Sequence, residues 1–119
     1  HVDNIRTLVR AGYFDGLSIL RVQENYVVQW GDPEGEDAAK KRPLGAAKAN
    51  LAGEYDRRRD AALPLARLPD GDTYAGFAGH SGGFPVAGKG RRIWLAHCYG
   101  MVGAGRGDAA DSGNGAELY

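Results

Sequence analysis

A Gly-x-Ser-x-Gly pattern at residues 79–83 is one group of side chains in this sequence that could support covalent chemistry. In hydrolases this pattern holds a nucleophilic serine on a sharp turn between a strand and a helix. Here Phe84, Pro85 and further glycines follow the pattern, so no helix is expected to begin there. We therefore predict a flexible loop and no nucleophilic role for Ser81.

A second pattern, Gly105–Ala110, fits a relaxed dinucleotide fingerprint that follows an apolar stretch. Such a fingerprint binds a pyrophosphate only at the N-terminus of a helix. The glycines of Ser112–Gly115 would end any helix that began here. The pattern favours a loop, and a nucleotide-binding fragment is kept as an alternative function.

The side chains with soft metal-ligand atoms are few: His1, His80, His97 and Cys98. His97 and Cys98 are adjacent and would point to opposite faces of a strand. None of the four has a spacing typical of a metal site, so we predict neither a metal nor another cofactor. The single cysteine also excludes an intrachain disulfide.

Arg21 is the charged residue with the most unusual sequence surroundings. Its neighbours Ile19, Leu20 and Val22 would place apolar side chains on both faces of a strand. A charge in such surroundings must be paired or functional. The pattern alone leaves two readings open, an arginine tied to a nearby carboxylate and a functional arginine.

The composition limits the classes of protein that the chain can belong to. Its 119 residues suit one domain, and 15 basic and 15 acidic side chains give no net charge. A phosphate-binding surface needs a basic surplus, so nucleic acid is not the expected partner. No apolar run approaches the roughly 20 residues that span a bilayer. The 19 glycines exceed the usual share of roughly 7% and favour turns and β-structure.

The first third of the chain is predicted to form a helix and a hairpin. Apolar residues at a helical period indicate a short amphipathic helix from about Asp3 to Ala11. An Asp-Gly pair marks a turn at residues 13–16. Two apolar segments, Leu17–Val22 and Tyr26–Trp30, are separated by a short polar reversal and are predicted to pair as strands.

The rest of the chain is predicted to contain few strands. Prolines prevent one long helix between Glu36 and Leu68, and a short strand is expected near Asn50–Tyr55. The basic run Arg57–Arg59 is interpreted as a solvated turn, with a binding patch as the alternative. The remaining expectations are a glycine-rich loop at 70–92, a strand near the end of 93–104, a loop at 107–115 and a strand beginning within 115–119.

The segment Tyr13–Pro33 carries the most specific pattern in the chain. It reads Tyr-Phe-Asp-Gly, then Arg-Val, an aromatic residue, a glutamine and Gly-Asp-Pro. In this order and spacing it resembles the core motif of the cyclophilins, the cyclosporin-binding peptidyl-prolyl cis-trans isomerases. The preceding helix, Ala52–Asp56 and Gly100–Tyr119 extend the resemblance. Trp94–Gly103 is similar to a divergent bacterial branch.

The resemblance assigns roles to residues of the predicted hairpin. Arg21 takes the place of the family's catalytic arginine, and Gln29 takes that of its substrate-binding glutamine. Tyr26 falls where the family has a phenylalanine in the proline pocket, and Val27 falls where it usually has a methionine. Leu20 departs from the histidine that is common in eukaryotic members.

The resemblance also assigns substrate-binding roles near the end of the chain. Gly105 and Arg106 match the segment that binds the residue before the proline. Glu117 matches a glutamine, and Tyr119 matches a phenylalanine of the pocket. Glu117 lacks the amide donor of a glutamine, which is expected to change peptide preference.

The residues named by the resemblance make chemical sense for this reaction. Rotation about an Xaa-Pro bond must overcome a barrier of about 18–20 kcal/mol, which is the lost amide resonance. In the twisted state the prolyl nitrogen becomes pyramidal and gains a lone pair, which the guanidinium of Arg21 could stabilise. The reaction needs no nucleophile, metal or acid–base pair.

The resemblance implies a mainly β fold, a cyclophilin-like closed β-barrel with flanking helices. We expect residues 1–119 to be a single such domain, with a long loop region at about 57–92 that is atypical of the family. The implied function is peptidyl-prolyl cis-trans isomerisation in protein folding. The alternative of the same fold is a proline-peptide binding module with little turnover.

The expected partners follow from the same resemblance. They are proline-containing peptides or unfolded protein clients and a cyclosporin-like ligand, with no nucleic acid and no membrane span, and the protein is expected to be a monomer. The chain begins without an initiator Met and stops within a predicted strand, so we expect the barrel to be incomplete at both ends. The divergent branch often carries export signals, which favours the bacterial periplasm over the cytoplasm.

Overall fold

The computed structural model describes residues 1–119 and is mainly β, with one helix. The chain divides into two compact units: the first unit comprises residues 1–53 and 102–119, and the second unit comprises residues 54–101. The only helix is too short to cross a membrane. The elements, in chain order, are α1 (Val2–Arg10), β1 (Ser18–Gln23), β2 (Val27–Gly31), β3 (Arg57–Arg58), β4 (Ala66–Arg67), β5 (Phe77–Ser81), β6 (Phe84–Lys89) and β7 (Arg92–Leu95).

The helix α1 confirms the predicted amphipathic helix to within one residue at each end. Leu8 is fully buried on its inner face, whereas Val2 and Val9 are exposed. Asp3 lies in the first turn and Arg10 in the last, where each charge complements the helix dipole. A single buried leucine is a small anchor for a nine-residue helix, so polar contacts must also hold it in place.

Asn4 supplies those contacts, and its side chain is buried with only 8% of its surface exposed. Its Nδ2 donates to the carbonyl oxygens of Lys48 at 3.0 Å and Asn114 at 2.7 Å. Its Oδ1 accepts the backbone N–H of Lys48 at 2.8 Å. One side chain therefore ties the helix to two loops that lie far from it in sequence.

Replacing Asn4 by alanine is expected to lower the free energy of unfolding by about 2 kcal/mol, because three partly buried backbone groups lose their partner. Urea unfolding followed by circular dichroism measures the loss. The matched control is Asn50→Ala, since Asn50 is exposed. Equal stability of the two variants would contradict the anchoring role of Asn4.

The hairpin of β1 and β2 confirms the predicted strand pair, shifted by one residue. Its turn contains Asn25 with φ of +55°, a conformation that asparagine tolerates better than most residues. The pairing shifts between Ile19 and Arg21, which leaves Leu20 as an extra residue in β1. All six residues of β1 are exposed, so the apolar neighbours of Arg21 do not bury its charge.

The end of the chain adds two further segments to this hairpin in the first unit. Leu118 forms antiparallel bridges with Trp30 of β2 on one side and with Ala104 on the other. The predicted strand near the end of 93–104 is therefore reduced to a single bridge at Ala104, and the strand expected within 115–119 is a bridge at Leu118. Segment 117–119 lies between β2 and segment 103–105.

Arg42 and Asp32 hold the polar loop that follows the hairpin. Arg42 donates from Nη1 to the carbonyl oxygens of Tyr13 at 2.6 Å and Asp15 at 2.9 Å. The carboxylate of Asp32 accepts the backbone N–H groups of Arg42 at 2.5 Å and Glu34 at 3.0 Å. These two hydrogen bonds hold the pKa of Asp32 below its usual value, and the one from Arg42 has the larger effect.

The second unit is built on a five-stranded antiparallel sheet with the order β3-β7-β6-β5-β4. Phe77, Val86 and Ile93 form its core, and Leu63 and Leu65 pack against them. These three core residues come from the central strands β5, β6 and β7, so the centre of the sheet is the best packed part of this unit.

The glycine-rich loop predicted at 70–92 is wrong, because this region contains β5, β6 and the start of β7. Gly82 and Gly83 have φ of +57° and +87°, and they make the two-residue turn between β5 and β6. A pair of positive φ angles is what a tight hairpin of twisted strands requires, and a Gly-Gly pair provides it. The glycines therefore mark a turn within a sheet.

Two further predictions for this half of the chain are also wrong. Residues 50–55 form no strand, since alanine, asparagine and glycine have low strand propensity. The basic run Arg57–Arg59, interpreted as a solvated turn, instead provides the edge strand β3. Arg58 lies opposite Arg92 in the neighbouring strand, and the carboxylate of Asp56 forms an ion pair with Arg92.

Candidate functional site

Most residues that the sequence proposed for the site lie on one face of the first unit's sheet. Arg21 in β1 lies opposite Gln29 in β2. In the added segments, Tyr119 pairs with Gly103 and Glu117 pairs with Gly105 through backbone hydrogen bonds of 2.7–3.0 Å. Because Trp30 and Leu118 bridge to each other, the residues on either side of them lie on the opposite face. Residues from distant parts of the sequence therefore meet on one surface: Arg21, Val27, Gln29, Gly105, Glu117 and Tyr119.

Arg21 is held in place by two neighbours from its own hairpin. Its Nη2 donates to Oε1 of Gln23 at 2.6 Å, and its guanidinium carbon lies 5.2 Å from the centre of the Tyr26 ring. Gln23 was not among the site residues proposed from the sequence. Its position two residues after Arg21, on the same face of a strand, is the signal that could have identified it.

Gln29 and Glu117 form a direct side-chain contact across the sheet, although they are 88 positions apart in the sequence. The Nε2 of Gln29 donates to Oε1 of Glu117 at 2.7 Å, and both side chains are half-buried. An ionised carboxylate can only accept hydrogen bonds, so the amide group must turn its N–H towards Glu117.

Glycines on both sides of Glu117 make room for its side chain. A Cβ atom on Gly31 would lie 3.3 Å from Cγ of Glu117, and one on Gly105 would lie 3.0 Å from its Cδ and closer still to Oε1. Any larger residue at position 105 would push the carboxylate away from Gln29. The two glycines therefore form a slot, here called the Glu117 slot.

Tyr119 also packs against a glycine of the neighbouring segment, two residues further along the chain than Glu117. A Cβ atom on Gly103 would lie 2.5 Å from Cζ of the Tyr119 ring, so the ring lies directly over the glycine backbone. Tyr119 and Val27 are half-buried, whereas Tyr26 is 73% exposed. These side chains are the apolar part of the surface beside Arg21.

Arg106 follows Gly105 directly and is exposed. Its Nη1 donates to the carbonyl oxygen of Gly107 at 2.9 Å. The Gly105 backbone N–H donates to the carbonyl oxygen of Glu117 at 2.8 Å, which fixes the strand before Arg106. The arginine therefore stands at the end of a fixed segment, next to the Glu117 slot.

The other chemical patterns of the sequence do not form sites in the structure. Ser81 ends β5, and Gly82 and Gly83 lead into another strand, so the serine is not on a strand-to-helix turn. No helix follows Gly105–Ala110, and the pyrophosphate site expected of a dinucleotide fingerprint is absent. No group of three or more histidine, cysteine, aspartate or glutamate side chains could hold a metal ion.

Comparisons with known proteins identify the family and the fold. A family model described as "Cyclophilin type peptidyl-prolyl cis-trans isomerase/CLD" matches residues 1–119. A search of curated proteins found no match. Among solved structures, the chain is similar to the crystal structure of cyclophilin AquaCyp293 from Hirschia baltica, with 27% sequence identity and a TM-score of 0.77. The likeness covers 99% of this chain and 47% of that one, so the chain spans about half the length of that protein.

Proposed function

The chain belongs to the cyclophilin-type peptidyl-prolyl cis-trans isomerase family, and we propose that the protein catalyses rotation about Xaa-Pro bonds in unfolded or loop segments of other proteins. Uncatalysed, this rotation takes roughly tens to hundreds of seconds and can limit the rate of folding. The observation that carries the proposal is the meeting of Arg21, Gln29, Glu117 and Tyr119 on one face of a sheet.

Arg21 is proposed to stabilise the transition state. When the peptide bond twists, the prolyl nitrogen loses its conjugation and can accept a hydrogen bond that it cannot accept in the ground state. A guanidinium donor is therefore worth more in the transition state than in the bound substrate, which is the condition for catalysis. The contacts of Arg21 with Gln23 and Tyr26 support this role, because they hold an exposed guanidinium beside the apolar surface.

The proline ring and the peptide backbone are proposed to bind beside Arg21. Tyr26, Val27 and Tyr119 supply apolar surface for the ring. The oxygen and second N–H of the Gln29 amide remain for the peptide backbone, since the first N–H is bonded to Glu117. Holding the peptide on both sides of the twisting bond lowers the entropic part of the barrier.

A protease-coupled assay on an Ala-Pro peptide tests the proposal. The observed rate of cis-to-trans conversion should rise in proportion to protein concentration above the uncatalysed rate. A protein that binds the same peptide without raising this rate would instead be a proline-peptide binding module. A protein that neither binds nor turns over the peptide would refute the proposal.

Tyr26→Ala should weaken the binding of proline peptides about tenfold, because the ring is proposed as a wall of the proline pocket; this corresponds to ~1.4 kcal/mol. Fluorescence titration with a peptide and its proline-free counterpart measures the effect. Tyr74→Ala is the matched control, since Tyr74 is 90% exposed in the second unit. Equal losses for the two peptides would assign Tyr26 to general packing.

The proposal also covers the complete barrel, the binding partners and the oligomeric state. The whole protein is proposed to form the closed β-barrel with flanking helices that the family resemblance implies, and the fold likeness to the Hirschia baltica cyclophilin supports this. Proline-containing peptides and unfolded client segments are the proposed partners, a cyclosporin-like ligand would occupy the same surface, and the protein is proposed to act as a monomer.

A further inference from the structure

The carboxylate of Glu117 lies in the proposed substrate surface without a basic partner. Its Oε1 accepts the Gln29 amide at 2.7 Å, and Glu117 forms no ion pair with a lysine or arginine of the chain. The side chain is half-buried, so its charge is less screened than that of a fully exposed carboxylate. A negative charge of this kind is available to a ligand.

The Glu117 slot keeps this charge at a defined position. Gly31 and Gly105 lie beside Glu117 in the two neighbouring segments and have no side chains that could cover it. The hydrogen bond to Gln29 occupies one carboxylate oxygen and leaves Oε2 for another donor. The slot therefore fixes where the charge lies and leaves it accessible.

We propose that Glu117 makes this protein selective for peptides with lysine or arginine immediately before the proline. This inference rests on the proposed function and on the role that the family resemblance implies for the segment of Gly105, which is to contact the residue before the proline. The Glu117 side chain lies directly against Gly105, so a basic residue there would meet the carboxylate, and an acidic residue would be repelled by it.

Glu117 also fixes the orientation of the Gln29 amide. A carboxylate offers no proton, so only the Nε2 of Gln29 can face it, and the amide oxygen must point elsewhere. A glutamine at position 117 could donate or accept and would permit both orientations. Glu117 therefore acts on the peptide in two ways, through its charge and through the amide that it positions.

Arg106 is the opposing charge in this region. It follows Gly105 and is exposed, so it would favour an acidic residue near the same position. Its guanidinium is exposed and donates to the carbonyl oxygen of Gly107, whereas the Glu117 carboxylate is half-buried and held within the slot. The fixed and less screened charge of Glu117 is therefore expected to decide the preference, and removing Arg106 should strengthen it.

The test compares kcat/KM and Kd for three peptides that differ only in the residue before proline: lysine, glutamine or glutamate. The wild-type protein should prefer lysine over glutamate by about fivefold, the size expected of one partly exposed charge pair. Glu117→Gln should bring the ratio of kcat/KM for the lysine peptide to that for the glutamate peptide close to one. Arg106→Gln should raise this ratio. Glu36→Gln is the matched control, because it makes the same chemical change on an exposed loop.

Two further measurements separate the roles of charge and positioning. Raising the salt concentration to about 0.5 M should reduce the lysine preference of the wild-type protein. This measurement requires no variant. In the NMR spectrum, the side-chain amide signals of Gln29 should shift in Glu117→Gln and stay unchanged in Glu36→Gln. An unchanged Gln29 signal would contradict the positioning role.

The outcomes distinguish this inference from the proposed function. Turnover with the same lysine-to-glutamate ratio in wild type and Glu117→Gln refutes the inference and leaves the isomerase function standing. Peptide binding without turnover refutes the catalytic function, and the ratio of Kd values then tests the inference by itself. If Glu117→Gln does not fold, a wild-type ratio of one, or a ratio that does not respond to salt, refutes the inference.

Discussion

Arg21→Ala is expected to lower kcat/KM for an Ala-Pro peptide at least about tenfold and to leave the fold unchanged. One charge-assisted hydrogen bond made in the transition state is worth at least ~1.4 kcal/mol, which is tenfold in rate. The fold should persist because Arg21 is exposed and its side chain interacts with Gln23 and Tyr26 of its own hairpin. The protease-coupled assay and far-ultraviolet circular dichroism measure the two effects.

Two control variants test whether the effect comes from the guanidinium group of Arg21 and not from its positive charge alone or from the loss of any arginine. Arg21→Lys keeps the charge but loses the planar fork of donors, so it should recover little of the rate. Arg10→Ala removes an exposed arginine from the end of α1 and should keep full activity. A folded Arg21→Ala protein with wild-type turnover would refute the proposed mechanism.

Gly88→Ala is expected to destabilise the second unit by about 3 kcal/mol. A Cβ atom at this position would lie 2.5 Å from the carbonyl oxygen of Arg92 and would overlap the Phe77 ring. The ring cannot move aside freely, because it lies in the core and the guanidinium groups of Arg59 and Arg67 lie over it at 5.8 and 4.5 Å. Overpacking of this kind strains both backbone and side chains.

Tryptophan fluorescence can assign this loss to the second unit. The chain has two tryptophans, Trp30 in the first unit and Trp94 in the second, so a Trp30→Phe background reports on the second unit alone. The matched control is Gly71→Ala, where an added Cβ meets no atom within 4 Å. If Gly88→Ala unfolds at the same urea concentration as this control, the close packing of Phe77 against Gly88 is not important for stability.

Local sequence signals were sufficient for the helix and the first hairpin. The apolar spacing of Val2, Ile5, Leu8 and Val9 predicted α1, and the short polar reversal between two apolar segments predicted β1 and β2. Each of these elements is defined by residues that are close together in the sequence. The signal and the contact therefore lie in the same short window, and the prediction succeeded.

The sheet of the second unit could not be predicted in this way, because its strands depend on partners. Gly79 and Gly88 lie inside β5 and β6, where glycine normally argues against a strand. Each glycine is required by a neighbour that only the folded chain supplies: the backbone of Ala66 approaches Gly79, and the ring of Phe77 covers Gly88. Close approaches of this kind leave no periodic signal.

The candidate site, like the fold, could be predicted from the sequence only in part. The resemblance of the Tyr13–Pro33 segment proposed Arg21 and Gln29 as site residues, but the exposure of Arg21 and its contact with Gln23 appear only in the structure. The contact between Gln29 and Glu117 joins two side chains that are 88 positions apart. No spacing rule connects such residues, so the Glu117 slot could not be derived from the sequence.

The outer strands of the second unit's sheet bear on how the protein avoids aggregation. An edge strand offers unpaired N–H and C=O groups to any other chain, and long, flat, apolar edges are the most exposed to this risk. Here β3 and β4 have two residues each, and both carry arginine, at positions 57, 58 and 67. Two copies brought edge to edge would form few hydrogen bonds and would place like charges together. The short, basic outer strands are therefore expected to disfavour pairing of this glycine-rich sheet with its own copies.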